Sequence, residues 1–182
     1  MRLLVLFTFF PVLLGGMSVA ATEAAEWSDE EIRALASLQL PENVQPPPSP
    51  SYAIADNPEA AKLGRLLFFD KRLSRNGEMS CASCHRPEQY YTDGQRRSVG
   101  IELTGRNSPT IVGSSHNAWF YWDGRRDSLW SQALIPFEGP AEMGSSRLAV
   151  VRMLGTVKLY REMYDGLFGD FPDDVLDANL PL

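Results

Sequence analysis

Apolar positions recur with a helical period in five stretches of the chain, and the ground between them is polar, proline-rich or irregular. Ser28 can cap the first helix and Glu31 completes a capping box with it, while Ile32, Leu35 and Leu38 form its apolar stripe. Pro41 and the run Pro46-Pro47-Pro48-Ser49-Pro50 cannot prolong that helix and are expected as an extended tether or strap. A second helix is predicted from Asn57 and Pro58 to Phe69, with Ala60, Leu63, Leu67 and Phe68 along one face. Gly64 weakens it, which points to a close approach there by another backbone or a bound group. Asp70 to Gly77 reads as a polar turn, and from Arg86 to Pro109 no period is sustained. So long an irregular stretch in a compact domain is usually functional or wrapped on a ligand. Helical patterning returns at Asp127 to Leu134, at Arg147 to Leu154 behind a Ser145 or Ser146 cap, and from Val157 to Phe168. Gly169 and Pro172 end the last helix, leaving Asp173 to Leu182 as a tail expected to build nothing further. The expected organisation is mostly α with long loops: an N-terminal helix and strap over 22–56, a main domain over 57–172 and a tail over 173–182.

With 182 residues, 44% of them hydrophobic, the chain can bury a core of its own. Its formal charge of −6 argues against a nucleic-acid partner, because binding a polyanion draws on a basic surface. Arg2, the apolar run Leu3 to Leu14 and the small residues Ser18 to Ala21 read as a secretory signal peptide over 1–21. Pro11 and Gly15-Gly16 interrupt that run short of a membrane span, so no stable membrane anchor is expected after cleavage. Export to the periplasm of a bacterium is the expectation.

The chemistry concentrates in Cys81-Ala82-Ser83-Cys84-His85. Two thiols at this spacing can add across the vinyl groups of one haem, and the histidine that follows can ligate its iron. A structural zinc site would need further ligands, yet no other cysteine exists and His116 is the second of only two histidines. A thioredoxin-like pair would need alternating strands and helices, which are not visible here. One covalent haem c is therefore expected. It supplies a ligand for the irregular stretch, and its edge is a candidate neighbour for Gly64.

The chain resembles the bacterial di-haem cytochrome c peroxidase family, including its MauG-like branch. The resemblance is carried by Leu63 to Asp70, Cys81 to His85, Gly105 to Thr110, Phe120 to Arg125, Gln132-Ala133, Pro136 and Glu142-Met143, in the family's order. It implies a cytochrome c-like fold for the N-terminal, peroxidatic haem domain, with Cys81 and Cys84 as attachment points and His85 as proximal ligand. Glu142 would be the acid/base carboxylate, with Gln132 and Pro136 lining its pocket. Trp122 would lie on the electron route, and Asn107 would contribute to an interdomain calcium site that is incomplete here. Implied partners are hydrogen peroxide and an electron-donor cytochrome or cupredoxin, or a separate second haem domain. The family's own second haem domain is expected to be absent, the chain being truncated or part of a split protein. In typical members a histidine in the loop after the first haem motif ligates or releases this iron. Ser98-Val99-Gly100-Ile101 has none, which is similar to the MauG-like pattern.

Chemistry agrees with a carboxylate in the acid/base role, since cleaving a peroxide O–O bond needs a group that takes a proton from one oxygen and returns it to the other. A glutamate half-dried in a haem pocket, its pKa raised by burial, can do both. Plainer readings stand beside this one. Glu142 could cap the helix after Gly144 or sit in solvent. Trp119 to Trp122 could be ordinary core packing. Asp123 and Arg125 could pair with each other, Arg106 could be a surface arginine, and His116 is an alternative distal ligand. The alternative for the whole chain is a monohaem electron-transfer cytochrome in which Met143 closes the iron opposite His85, without substrate chemistry.

Overall fold

The computed structural model of the chain describes residues 26–39, 45–46, 48 and 51–177. The expected signal peptide, much of the proline strap and the last residues of the tail lie outside the described residues. Among the described residues no helix is long and apolar enough to cross a membrane. The chain divides into two compact units, Met1–Val44 and Gln45–Leu182.

The first unit carries α1 (Asp29–Ser37). Its predicted capping box is formed: Ser28 Oγ accepts from the Glu31 amide at 3.3 Å, and the Glu31 carboxylate accepts from the Ser28 amide at 2.8 Å. The stripe of Ile32, Leu35 and Leu38 is exposed.

The second unit begins its helices with α2 (Pro58–Phe69), where Asn57 Oδ1 accepts from the Glu59 amide at 2.8 Å and Pro58 needs no partner for an N–H it lacks. Leu63 is buried, but a Cβ at Gly64 would meet nothing within 4 Å, so the close backbone approach expected there is absent. Asp70 ends α2 and caps a 3₁₀ turn over Lys71–Leu73. That stretch is not merely polar: Leu73, at 1% exposure, is the most buried large side chain described.

After α3 (Cys81–Cys84) the chain runs without strands to α4 (Leu129–Glu138), pinned by the isolated bridges Arg86↔Thr92, Val99↔Leu103 and Phe120↔Arg126. Helix α4 starts later than predicted and continues beyond Leu134, straight through Pro136. A proline at that position leaves the Gln132 carbonyl without its helical donor. The Tyr121 hydroxyl, at 3.5 Å, donates to that carbonyl instead, and a tertiary contact thus tolerates what the local sequence argued against.

Helices α5 (Arg147–Thr156) and α6 (Lys158–Phe168) follow, α5 capped by Ser146 Oγ accepting from the Ala149 amide at 3.1 Å. The tail is not inert. Asp173–Leu176 forms a 3₁₀ turn against α5, Arg161 pairs with Asp173 at 2.7 Å, and Arg152 donates to the Val175 carbonyl at 3.4 Å. Gly155 makes the docking feasible, since a Cβ there would come within 2.6 Å of the Phe171 ring. Phe171 itself is buried against Tyr164 and beneath the Arg161 guanidinium.

The hydrophobic core described is small: Leu63, Leu73, Phe120, Met143, Tyr160 and Phe171. Apolar α4 and α5 contribute no fully buried residue to it.

Candidate functional site

Helix α3 is a single turn, and that is why the spacing works: Cys81 and Cys84 stand one turn apart on the same side, and His85 is its C-cap, its amide donating to the Cys81 carbonyl at 2.9 Å. The turn is stiffened at its start by the Ser80 amide donating to Ser83 Oγ at 3.0 Å. Both cysteines are free thiols. Burial pushes Cys81 up to about 11, and burial together with the charges of Asp93 and Glu142 raises Cys84.

The chain then doubles back so that the Tyr91 carbonyl lies 3.1 Å from His85 Nδ1. With Nδ1–H donating there, Nε2 is left as the ligating nitrogen. Delivering that carbonyl takes an unusual backbone: Tyr90 and Tyr91 both have positive φ, 53° and 58°, and the Thr110 hydroxyl holds the Tyr90 carbonyl at 2.6 Å. Buried Ser108 places its hydroxyl beside the ring edge, 3.3 Å from Nδ1 and 3.4 Å from Nε2.

Glu142 lies in the tight turn after α4. Its amide donates to the Gly139 carbonyl at 2.9 Å, and the Met143 amide donates to the Pro136 carbonyl at 3.1 Å. The turn thus brings Glu142 back against the C-terminal end of α4, a helix on which Gln132 and Pro136 are spaced i, i+4 on one face. Glu142 neither caps a helix nor sits in solvent: it is half-buried, and Oε2 is fully enclosed without a hydrogen-bond partner. Burial lifts its carboxyl above the ordinary range, and the nearby His85 charge pulls the other way without cancelling this.

The other expected residues are placed less centrally. Trp122 is 81% exposed and Trp119 is also exposed, so of the aromatic run only Phe120 is core. The plain core-packing reading of that run is corrected. Tyr121, the third residue of that run, is half-buried, carries the Arg125 guanidinium 3.7 Å from its ring centre, and has its phenol pKa raised by burial and by the Glu142 charge. Asp123 and Arg125 pair with each other at 2.7 Å. Arg106 is exposed. Met143 is buried at 6% exposure, its carbonyl accepting from the Arg75 amide at 2.9 Å. His116 lies in a 3₁₀ turn at Ser114–His116, and no side-chain hydrogen bond joins it to His85 or Glu142 among the described residues.

Asn107 is exposed beside a polar cavity of about 440 Å³ lined with Thr92, Asp93, Gln95 and Thr110. Among the described residues no group of three or more His, Cys, Asp or Glu is placed to hold a metal ion.

The residues present fit a covalent haem. Two thiols and an imidazole with its outer nitrogen already engaged form the donor set of a c-type site. The orphaned Oε2 of Glu142 is a buried polar atom awaiting a partner, and the apolar side chains of α4 are only partly covered by the described residues.

The sequence model described as di-haem cytochrome c peroxidase matches residues 58–180. The methylamine utilization protein MauG of Methylorubrum extorquens is 39% identical over 155 residues, covering 84% of this chain and 43% of that protein. The cytochrome c551 peroxidase of Nitrosomonas europaea is 38% identical over 116 residues, covering 63% of this chain and 35% of its own length. Among solved structures, a MauG-like protein associated with microbial copper homeostasis matches with a TM-score of 0.64 at 32% identity, over 76% of this chain and 43% of that one. The chain thus spans less than half the length of each of these relatives.

Proposed function

The chain belongs to the di-haem cytochrome c peroxidase family, and on that footing we propose that residues 57–172 are a haem c domain of peroxidase type, working in the periplasm after removal of residues 1–21. Its reaction is the reduction of hydrogen peroxide with electrons from a redox partner, or a MauG-like oxidation. Cys81 and Cys84 hold one haem and His85 is its proximal ligand. When bound, the haem supplies the redox iron at which peroxide and electrons meet.

The remaining work falls to the chain's own groups. Reduction of peroxide to water consumes two electrons and two protons, and one proton must move between the two oxygens as their bond breaks. Glu142 Oε2 takes that proton from one oxygen and returns it to the leaving one. Burial, which raises its pKa, lets the carboxyl hold a proton closer to neutral pH than a solvated glutamate would. Gln132 and Pro136 wall the same pocket and limit water. Trp122, exposed at the surface, is where electrons pass from an electron-donor cytochrome, a cupredoxin or a separate second haem domain. A calcium ion at Asn107 would draw its remaining oxygen ligands from such a partner.

The observation that carries this reading is the enclosed, unpartnered Oε2 of Glu142. It is tested by optical and electron paramagnetic resonance spectra of the haem-loaded chain before and after one equivalent of peroxide. A high-spin ferric spectrum that peroxide changes is expected. In Glu142→Gln that change slows by ~10²- to 10⁴-fold with haem incorporation unaltered. A low-spin His/Met spectrum untouched by peroxide, opened by Met143→Ala, would instead leave an electron-transfer cytochrome.

A further inference from the structure

Nothing hydrogen-bonds the enclosed carboxylate oxygen of Glu142, so the position of that atom depends on where the Glu142 backbone is held. One grip is the α4 turn already described. The second comes from a distant loop. Ser98 to Arg106 is closed on itself: the Ser98 amide donates to the Arg106 carbonyl at 2.9 Å, and the Thr104 amide and hydroxyl both donate to the Ser98 carbonyl, at 2.9 and 2.8 Å. The Gly100 amide donates to the Glu102 carbonyl at 3.0 Å, and Arg97 Nε fastens the Thr104 carbonyl at 2.6 Å. The tip of this closed loop lies on the backbone of the acid. The Ile101 amide donates to the Glu142 carbonyl at 2.9 Å, and the Glu102 amide donates to the Ala141 carbonyl at 3.0 Å.

Two backbones come this close only where a side chain is missing. A Cβ at Gly100 would stand 2.7 Å from both Glu142 Cα and the Glu142 carbonyl oxygen, and would overlap the Ala141 carbonyl. These atoms are backbone and cannot swing aside as a flexible side chain would. The φ of Gly100 is not left-handed, so the glycine is needed for space and not for conformation. On its other side the loop reaches the attachment turn, where Val99 offers its carbonyl 3.8 Å from Cys84 Sγ.

We infer that Gly100 is a positioning residue for Glu142: its missing side chain lets the closed loop 98–106 clasp the Ala141-Glu142 backbone and fix where the carboxyl stands. The inference rests on the reading of Glu142 as the proton-transfer group. A misplacement of about 1 Å at such a group is enough to cost ~10²-fold in rate.

The test compares Gly100→Ala, Glu142→Gln and their combination in the haem-loaded chain, with Gly105→Ala as control, since a Cβ at Gly105 would meet nothing within 4 Å. Three quantities are read: the rate of the spectral change with peroxide, the haem spectrum before peroxide, and amide hydrogen exchange at Ile101 and Glu102. The expected result is that Gly100→Ala speeds exchange at both amides and slows the reaction ~10- to 100-fold while the starting spectrum stays as in the parent. It is further expected to slow the Glu142→Gln background by less than ~2-fold, because the effect runs through that carboxyl. Gly105→Ala should change none of these. Faster exchange with an unaltered rate, in a chain where Glu142→Gln is slow, would overturn the positioning role and leave the function standing. Equal slowing of both backgrounds would overturn it in favour of general disruption. A Glu142→Gln variant as fast as its parent would remove the proposed function and the positioning role together.

Discussion

The two sides of the candidate site are encoded in different ways. On the attachment side Cys81, Cys84 and His85 fall within one helical turn and its cap, so consecutive residues fix their relative placement, and the Tyr91, Val99 and Ser108 contacts are added from further along the chain. On the acid side Glu142 Oε2 has no hydrogen-bond partner, and the Glu142 backbone is held by a loop some forty residues earlier as well as by the end of α4. A covalent cofactor tolerates this asymmetry well. Attachment on a chain that is not yet packed favours a local motif, whereas the group proposed to transfer the proton has to be placed only in the folded site.

The sharpest way to break the comparison is to remove the local side. Replacing Cys81 and Cys84 together by serine should abolish covalent haem, seen as complete loss of the haem band on a denaturing gel. The chain should lose thermal stability with it, because a group bound only by the folded chain stabilises that state and neither α4 nor α5 has a fully buried residue without it. Glu142→Gln removes the non-local side, and the haem band should survive while reaction with peroxide slows by the ~10²- to 10⁴-fold already given. If the acid-side variant also lost its haem, the two sides would not be separable in folding and the contrast would fail.

The contrast also explains what was legible in the sequence. The capping box at Ser28 and Glu31, the Asn57-Pro58 start and the Ser146 cap are local devices, and they stand where the pattern put them. The haem motif is of the same kind. Helix α4 outran its predicted end because the Tyr121 hydroxyl serves the carbonyl that Pro136 orphans, and no local rule carries that information. Nothing local in Asp173 to Leu182 signals its docking, because the preceding anchor, Phe171 in the space left by Gly155, is a contact between separate elements. Ser108, the Tyr90-Tyr91 turn and Gly100 were missed as parts of the site for the same reason. Gly100 did carry a signal: it lies in the stretch where the family's typical members have a histidine, so the region was marked even though its mechanical role was not.

A smaller effect is expected at Asp70, which has one partner of each kind. Arg72 two residues on hydrogen-bonds its carboxylate, and Tyr160, ninety residues away on α6, donates to it at 2.7 Å. The Arg72 bond is the larger cause, burial opposes it, Tyr160 adds to it, and together they hold the Asp70 carboxyl down to about 2. Because the folded pKa is depressed, the stabilisation is fully present above the unfolded value near 3.9 and is lost as pH falls from there through about 2. Arg72 is 57% exposed, so solvent screening reduces the contribution to about 1 kcal/mol. Denaturant melts of the parent and Asp70→Asn should therefore differ by about 1 kcal/mol at pH 6 and converge toward pH 2. Tyr160→Phe removes only the distant partner and should show less than half of that difference. A Tyr160→Phe effect as large as that of Asp70→Asn would show the long-range bond dominating where the local one is expected to.

The smallest effect isolates local propensity alone. Gly64 lies in the interior of α2, its φ is not left-handed, and a Cβ there would meet nothing within 4 Å. Glycine in a helix interior is less favourable than alanine by roughly 0.5–1 kcal/mol, because its backbone loses more freedom on folding. Gly64→Ala should accordingly raise the melting temperature of the haem-loaded chain by about 1–4 °C. Neither the haem spectrum nor the rate with peroxide should move, since the space around residue 64 belongs to neither side of the site. A normal melting temperature gain with a shifted haem spectrum would place the haem edge at this glycine. Residue 64 would then join the attachment side through a contact across the fold, and that side could no longer be described as locally encoded.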